Sequence, residues 1–495
     1  MTRVLALLPR APVGRLVGVV LLAAVIRIVF FTGFHGFDDV FYIRRAYALS
    51  QGHFALPTNH WAARVGLVGP TALAYLLFGV TLWSTVLFPF LCSILTVIVA
   101  TVLGRRLLGD SAGWLAGLLV AMFPMDAIFA SMLFPTAPVT LFCGVGFGAF
   151  LLAEAEGRSL LYFVAGVAFG LACVVHEAAA IVLVFYPVHV AASRRIQRGH
   201  LLALLGFGAA LAIDPVVHAL MGNARARLDV LSRSETAQGT ATDVAYSGLN
   251  VHWIAEPFVR LLAERTFGLF SWLIAPLAVY RALRPTDARE RTLSLILISV
   301  FLWTEFGTLS LHRYAPLARL PRYLCPLTLP AMWLLAKNLC EIRRPGGRRI
   351  VLVGLAATSL ICLLLDSGNQ LRPYLTIRAA LASAHPTTVA VEKTDEFPLR
   401  FAEGMNPPYG LSPFGADVPA TELAVSRTEA HRQLLQGTSG ATPLATVDRP
   451  VTVYQRVLSS PLVLAVLRRL RPPERFAEYE QKVHSRESWT IYRLR

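Results

Sequence analysis

Two adjacent carboxylates, Asp38 and Asp39, stand in the stretch FHGFDDVFYIRRAYALSQGHF, where apolar and polar positions then alternate with roughly helical spacing. An acid pair at a water boundary suits general-base chemistry: one carboxylate takes a proton from a hydroxyl or amine while the other orients it or the incoming group. Burial against apolar helices raises the pKa of such a group toward a useful value, and nearby arginines lower it again. The same acids also suit a helix N-terminus, which negative side chains stabilise by about 0.5–2 kcal/mol. Spacing does not choose between the two readings. Asp126 interrupts an apolar stretch beside Pro124, and His176-Glu177 opens HEAAA. The five-residue zinc-peptidase pattern lacks its second histidine there, which excludes that class. A lone acid in lipid is costly, so His176 and Glu177 are expected to face the bundle interior or the outer water, as candidate binding residues. His35, His53 and His60 with the two aspartates are candidate ligands of a divalent cation, at irregular spacing.

The elements that must position these residues are set by the solvent. With 55% hydrophobic and only 15% charged residues, and a mean hydropathy of +0.57, the chain is too apolar for an ordinary soluble domain. Apolar runs near the ~20 residues that cross a bilayer as helix recur along it. They predict about eleven spans at 14–33, 82–103, 111–130, 136–153, 159–175, 178–192, 200–220, 255–280, 292–310, 321–341 and 350–366. The formal charge of +16 does not indicate nucleic acid, because the arginines cluster in short loops such as Arg105-Arg106, Arg194-Arg195 and Arg343-Arg344. Those loops belong inside the cell. The basic N-terminus then lies in the cytoplasm as a retained first span. Counting 65–80 as a span would turn the later arginine loops outward, so it is expected as a helix along the outer membrane face.

All six cysteines fall within or at the ends of apolar segments, and their spacing shows neither a disulfide framework nor a zinc pattern. After Leu365 the composition shifts to prolines, acids and short alternating runs, of which Thr387–Val391 and Trp489–Leu494 read as strands. The helix-like Leu462–Arg471 and the acidic run Glu474–Glu480 add helices to this part. The expectation is an all-α polytopic membrane unit over 1–366, its loop 34–80 outside, followed by a small extracytoplasmic α/β domain over 367–495.

The order of elements resembles the GT-C glycosyltransferases. Phe37-Asp38-Asp39 with Tyr42 follows the first span; Leu49 and Gly52 form a turn; Arg64 precedes an amphipathic helix ending Leu77-Phe78-Gly79. The likeness continues in Gly104–Gly109, Pro124 and the Arg322-Tyr323-x-x-Pro326 motif, over about residues 14–341. The pattern is most similar to the protein O-mannosyltransferases and to the bacterial transferases that put aminoarabinose on lipid A. This resemblance implies Asp38 as catalytic base, Asp39 as its partner or orienting group, and Tyr42 as a sugar-facing aromatic. It implies a polyprenyl-phosphate-linked sugar as donor, a glycan, lipid or protein as acceptor, and action at the outer face of a bacterial plasma membrane.

The leaving polyprenyl phosphate needs charge stabilisation, which arginine supplies through its planar fork. Arg64, Arg313, Arg319 and Arg322 are the candidates, with Tyr323 beside the last, and Arg260 and Arg265 join them if the eighth span begins later than residue 255. The family's acid near Thr136 is absent, and Asp126 is its candidate replacement; His176-Glu177 fills a position where relatives carry lysine. A transporter or flippase fits polytopic helices too, but here the acids crowd one face and no inverted repeat is visible. A catalytically inactive scaffold of the same fold is the other alternative.

Overall fold

The computed structural model describes residues 13–233, 251–308, 319–366, 371–413, 423–427, 441–448, 460 and 488–494. Up to Asp366 the described residues form a helical bundle; beyond it, helices accompany a sheet. Among the described residues, four helices are long and apolar enough to cross a bilayer: Leu82–Leu108, Thr136–Glu156, Arg198–Leu220 and Pro345–Asp366. Asp110–Met122 and Pro124–Ala130, bent by 57°, add a fifth if they count as one span.

The expected count of about eleven spans is not carried by unbroken helices. Several apolar runs are interrupted, and hydropathy sums across such breaks without registering them. The run 111–130 bends at Phe123, because Pro124 has no N–H and restricts the residue before it. The run 255–280 divides into Val251–Ala263, a 3-10 turn Arg265–Phe267 and Phe270–Leu283. The run 321–341 opens as a 3-10 helix, Pro321–Leu327, before the α-helix Thr328–Glu341. Val65–Phe78, at 14 residues, is short of the ~20 needed to cross alone.

Small residues allow the helices to approach closely, since lipid supplies little hydrophobic drive between apolar faces. Ser159–Val175 packs on Arg198–Leu211 through Gly170, where an added Cβ would come 2.6 Å from the Phe207 carbonyl. Trp333, wholly buried, fits against Gly104 and Gly148 and donates to the Ala100 carbonyl at 3.0 Å. In the same interior Arg27 of Val13–Val29 is fully buried, bonded to Asp126 at 2.5 Å and to Ser93 at 2.6 Å.

The described C-terminal strands form one sheet in the order β2-β1-β3-β5-β4. They are β1 (Thr388–Val391), β2 (Gly410–Pro413), β3 (Leu423–Ser426), β4 (Thr442–Asp448) and β5 (Ser488–Arg493). β1 runs parallel to β2 and β3, with Val389 opposite both Leu411 and Leu423; β5 pairs antiparallel with β3 and β4. Both strands expected from alternation are present as β1 and β5. Leu462–Arg471 and Glu474–Glu480 lie outside the described residues. The helix Lys393–Ala402 joins the sheet to the bundle: Phe397 and Phe401 meet Phe34, and Arg44 lies 4.6 Å over the Phe397 ring.

Candidate active site

The loop after the first helix is pinned from both sides. Ser131 receives the Thr32 amide on its hydroxyl at 2.9 Å and the Gly33 amide on its carbonyl at 2.8 Å. From the other side the Asp39 carboxylate accepts backbone N–H bonds from His35 at 2.7 Å, Gly36 at 3.2 Å and Phe37 at 2.7 Å. Gly36, at φ +86°, supplies the left-handed turn that aims these amides at one acid. Asp39 is 1% exposed. Burial pushes its carboxyl above the ordinary range, and the three amide bonds work against that shift.

The two acids therefore separate. Asp39 is bonded to the loop backbone, whereas Asp38, one residue earlier in the helix Asp38–Ser50, keeps 21% of its side chain exposed. Its partner is Arg322, whose Nη2 donates to Asp38 Oδ2 at 2.8 Å. Arg322 sits on the 3-10 helix Pro321–Leu327, where Pro326 cannot donate the bond that an α-helix would require. Its guanidinium lies 5.1 Å over Phe134, a cation–π contact that fixes where the charge points.

One turn beyond Asp38, Tyr42 faces inward. It is wholly buried, and its hydroxyl accepts a bond from Arg64. Arg64 also grips Glu177 through two bonds, Nε–Oε2 at 3.1 Å and Nη2–Oε1 at 2.5 Å. The fork geometry matches the carboxylate plane. Arg227 continues the chain of charges, donating to Glu177 Oε2 at 3.1 Å and to Asp214 Oδ1 at 2.7 Å. His176 accepts the Ala178 amide on Nδ1 at 3.1 Å and sets its ring 5.5 Å from Tyr323. His176, Arg322, Tyr323 and Pro326 line a small cleft with Pro135 and Thr136.

Arg227 and Asp214 were not singled out in the sequence. Their signal was the Asp214-x-x-x-His218 pair inside an apolar helix, four residues apart and hence on one face. A second omission is aromatic. Phe41, partly exposed, stacks on Trp61 at 4.5 Å and 7°, and His60 lies 3.9 Å from Trp61. Burial, and then the charge of Arg64, lower the His60 pKa.

Other candidates are held elsewhere. Asp126 is consumed by Arg27 and Ser93 inside the bundle, because a buried acid must be paired and the nearest cation comes from the first helix. Arg319 pairs with Glu256 at 2.8 Å and lies over Phe306; Arg260 bonds Glu256 and the Arg319 carbonyl; Arg265 pairs with Asp366 at 2.6 Å. Arg313 lies outside the described residues. His35 packs on Phe37, His60 on Trp61, and His53 is exposed. These histidines and the two aspartates do not gather as one ligand set among the described residues.

Behind Arg322 lies an apolar cavity of about 360 Å³, lined by Phe123, Phe267, Phe270, Leu297, Leu324 and Leu327 among others. Leu324 and Leu327 belong to the same 3-10 helix as Arg322.

Residues 70–218 match the family model of dolichyl-phosphate-mannose-protein mannosyltransferases. That stretch includes His176, Glu177 and Asp214 but neither Asp38 nor Arg322. No curated protein matches the chain. Its fold is similar to that of ArnT from Cupriavidus metallidurans bound to undecaprenyl phosphate, at 14% identity and a TM-score of 0.59, covering 88% of this chain and 97% of that one. The apo state of ArnT gives 14% identity, a TM-score of 0.58, and coverage of 88% and 96%. The Archaeoglobus fulgidus oligosaccharyltransferase in complex with Zn and sulfate gives 14%, 0.51, and coverage of 86% and 70%. The chain is a helical membrane protein that shares its fold with ArnT and with the archaeal oligosaccharyltransferase.

Proposed function

We propose that the protein is an inverting glycosyltransferase that moves a sugar from a polyprenyl-phosphate donor to a glycan, lipid or protein acceptor at the outer face of a bacterial plasma membrane. The observation that carries this reading is the double role of one short segment. Pro321–Leu327 brings Arg322 to Asp38 at 2.8 Å while Leu324 and Leu327 line the 360 Å³ apolar cavity. A phosphate at Arg322 would thus have an apolar compartment for its lipid tail within the same turn of chain, and pockets of ~300–1,000 Å³ are of ligand size. That ArnT has been crystallised with undecaprenyl phosphate supports the donor class.

The resting Asp38–Arg322 pair suits the reaction. An arriving phosphate competes for Arg322 and releases the Asp38 carboxylate. The acceptor O–H or N–H then attacks the anomeric carbon, its proton passes to Asp38, and the bond from that carbon to the phosphate oxygen breaks with inversion. Arg322 holds the departing phosphate by charge-assisted hydrogen bonds. Asp39 keeps the loop in register through its three amides, and Arg64, anchored on Glu177 and Tyr42, fixes the floor of the site. The Phe41–Trp61 stack offers an apolar ring face near Asp38 for the sugar.

The test is turnover of a radiolabelled polyprenyl-phosphate sugar by the purified protein, read as released polyprenyl phosphate and labelled acceptor. Asp38→Asn should lower the rate by about 10²–10⁴-fold, the range for loss of a general base, with donor binding retained. Wild-type turnover in that variant would remove Asp38 from the role. Donor binding without turnover in the wild type would favour a scaffold, and donor movement across a bilayer without transfer would favour a flippase.

A further inference from the structure

At the far end of the bundle from Asp38, three helix ends bring Glu154, His189 and His200 together. Glu154 closes Thr136–Glu156, His189 lies in Phe185–Ser193, and His200 opens Arg198–Leu211. The helix Ser159–Val175 starts beside Glu154 and ends at His176; its 17 residues separate the two places by about 25 Å at ~1.5 Å per residue. One ligand atom from each of the three residues lies within 4.8 Å of the others.

The spacing argues for two kinds of ligand around a shared centre. His189 Nε2 is 3.4 Å from Glu154 Oε2, and His200 Nε2 makes a long hydrogen bond of 3.3 Å to the other carboxylate oxygen, Glu154 Oε1. Charge-assisted N–H···O⁻ bonds run nearer ~2.7–2.9 Å. Two atoms bound tetrahedrally to one ion at ~2.0–2.1 Å are about 3.3–3.4 Å apart. Both imidazoles are buried, at 7% and 6% exposure, and His189 Nε2 has no hydrogen-bond partner although it points at the carboxylate. An orphaned buried nitrogen is costly, and a cation removes that cost.

The surroundings complete the case. Tyr162 donates to Glu154 Oε1, and Gln197 Nε2 reaches Glu154 Oε2 at 3.5 Å. Such outer partners orient ligating carboxylates. Glu154 and His189 also line a cavity of about 520 Å³ with Ser193, Asp287 and Arg291, which leaves room for a fourth, non-protein ligand. Two imidazoles and a carboxylate with one open position match Zn²⁺, whereas Mg²⁺ and Ca²⁺ prefer all-oxygen sets.

We infer that Glu154, His189 and His200 form a Zn²⁺ site that clasps three helix ends on the face opposite the candidate active site. Full-length, tag-free protein in detergent should carry one zinc per chain by elemental analysis, and Co²⁺ exchange should give the intense visible bands of a tetrahedral ion. His189→Ala should lose both the metal and the bands. His200→Cys should keep Co²⁺ and add a thiolate charge-transfer band, and Tyr162→Phe should weaken binding about 10–100-fold, the usual outer-partner effect. If His189→Ala does not fold, chelation of the wild type serves instead, with a fall in the thermal midpoint that added Zn²⁺ reverses. Substoichiometric metal together with an unchanged midpoint on chelation, or identical Co²⁺ spectra in wild type and His189→Ala, would overturn the site.

Discussion

At the scale of single residues, neighbours in sequence do different work. Asp38 and Asp39 are adjacent and chemically identical, yet one faces Arg322 with a fifth of its side chain exposed and the other is sealed on three amides. The helix direction separates them, since successive residues point about 100° apart around its axis. Arg322 follows the same logic of geometry over charge. Arg322→Lys keeps the charge but loses the planar fork, so the donor KM should rise about ten- to hundredfold, the loss expected for one charge-assisted bond. Steady-state kinetics with varied donor checks this; an unchanged KM would take Arg322 out of phosphate binding. Asp38 and Arg322 were both legible in the sequence as types, but their pairing was not, because they stand 284 positions apart.

At the scale of elements, buried charges hold helices to one another. Arg27 and Asp126 join the first helix to Pro124–Ala130 with side chains at 0% and 1% exposure. Removing one partner leaves the other charged in the interior, so Asp126→Ala should destabilise by about 3–5 kcal/mol, while Arg27→Met with Asp126→Leu should recover much of that. Thermal unfolding in detergent distinguishes the two, and the double variant should retain donor turnover, because neither residue contacts the Asp38 cluster. In the C-terminal unit, Asp395 accepts from Tyr374 at 2.7 Å and from Trp489 at 3.2 Å, and burial raises its carboxyl above the ordinary range. A raised folded pKa means that its contribution to stability is complete below the unfolded value of about 3.9 and is lost as pH rises through the folded one. The thermal midpoint should therefore decline upward from about pH 4 on this account, and Asp395→Asn should flatten that slope; equal slopes in both proteins would refute the assignment.

At the scale of the whole molecule, the candidate active site and the Glu154 cluster occupy opposite ends of one helix, so membrane orientation decides which faces the cell exterior. The arginine-rich loops set the expectation. Gln51→Cys should react with a membrane-impermeant maleimide in intact cells, and Arg158→Cys should react only after the membrane is opened; the reverse pattern would invert the topology. Composition alone determined the bilayer as solvent, and local alternation alone placed β1 and β5, because both are properties of a short window of chain. The acid pair after the first helix was likewise visible as a motif. Tertiary structure decided the rest: that Pro321–Leu327 is a 3-10 turn carrying Arg322 to Asp38, that Tyr42 faces Arg64, that Asp126 belongs to Arg27, and that Glu154 meets two histidines. Each of these is a contact between segments distant in sequence, and the cost of burying a charge or a hydrogen-bonding group without a partner, not any local pattern, selects which partner it finds.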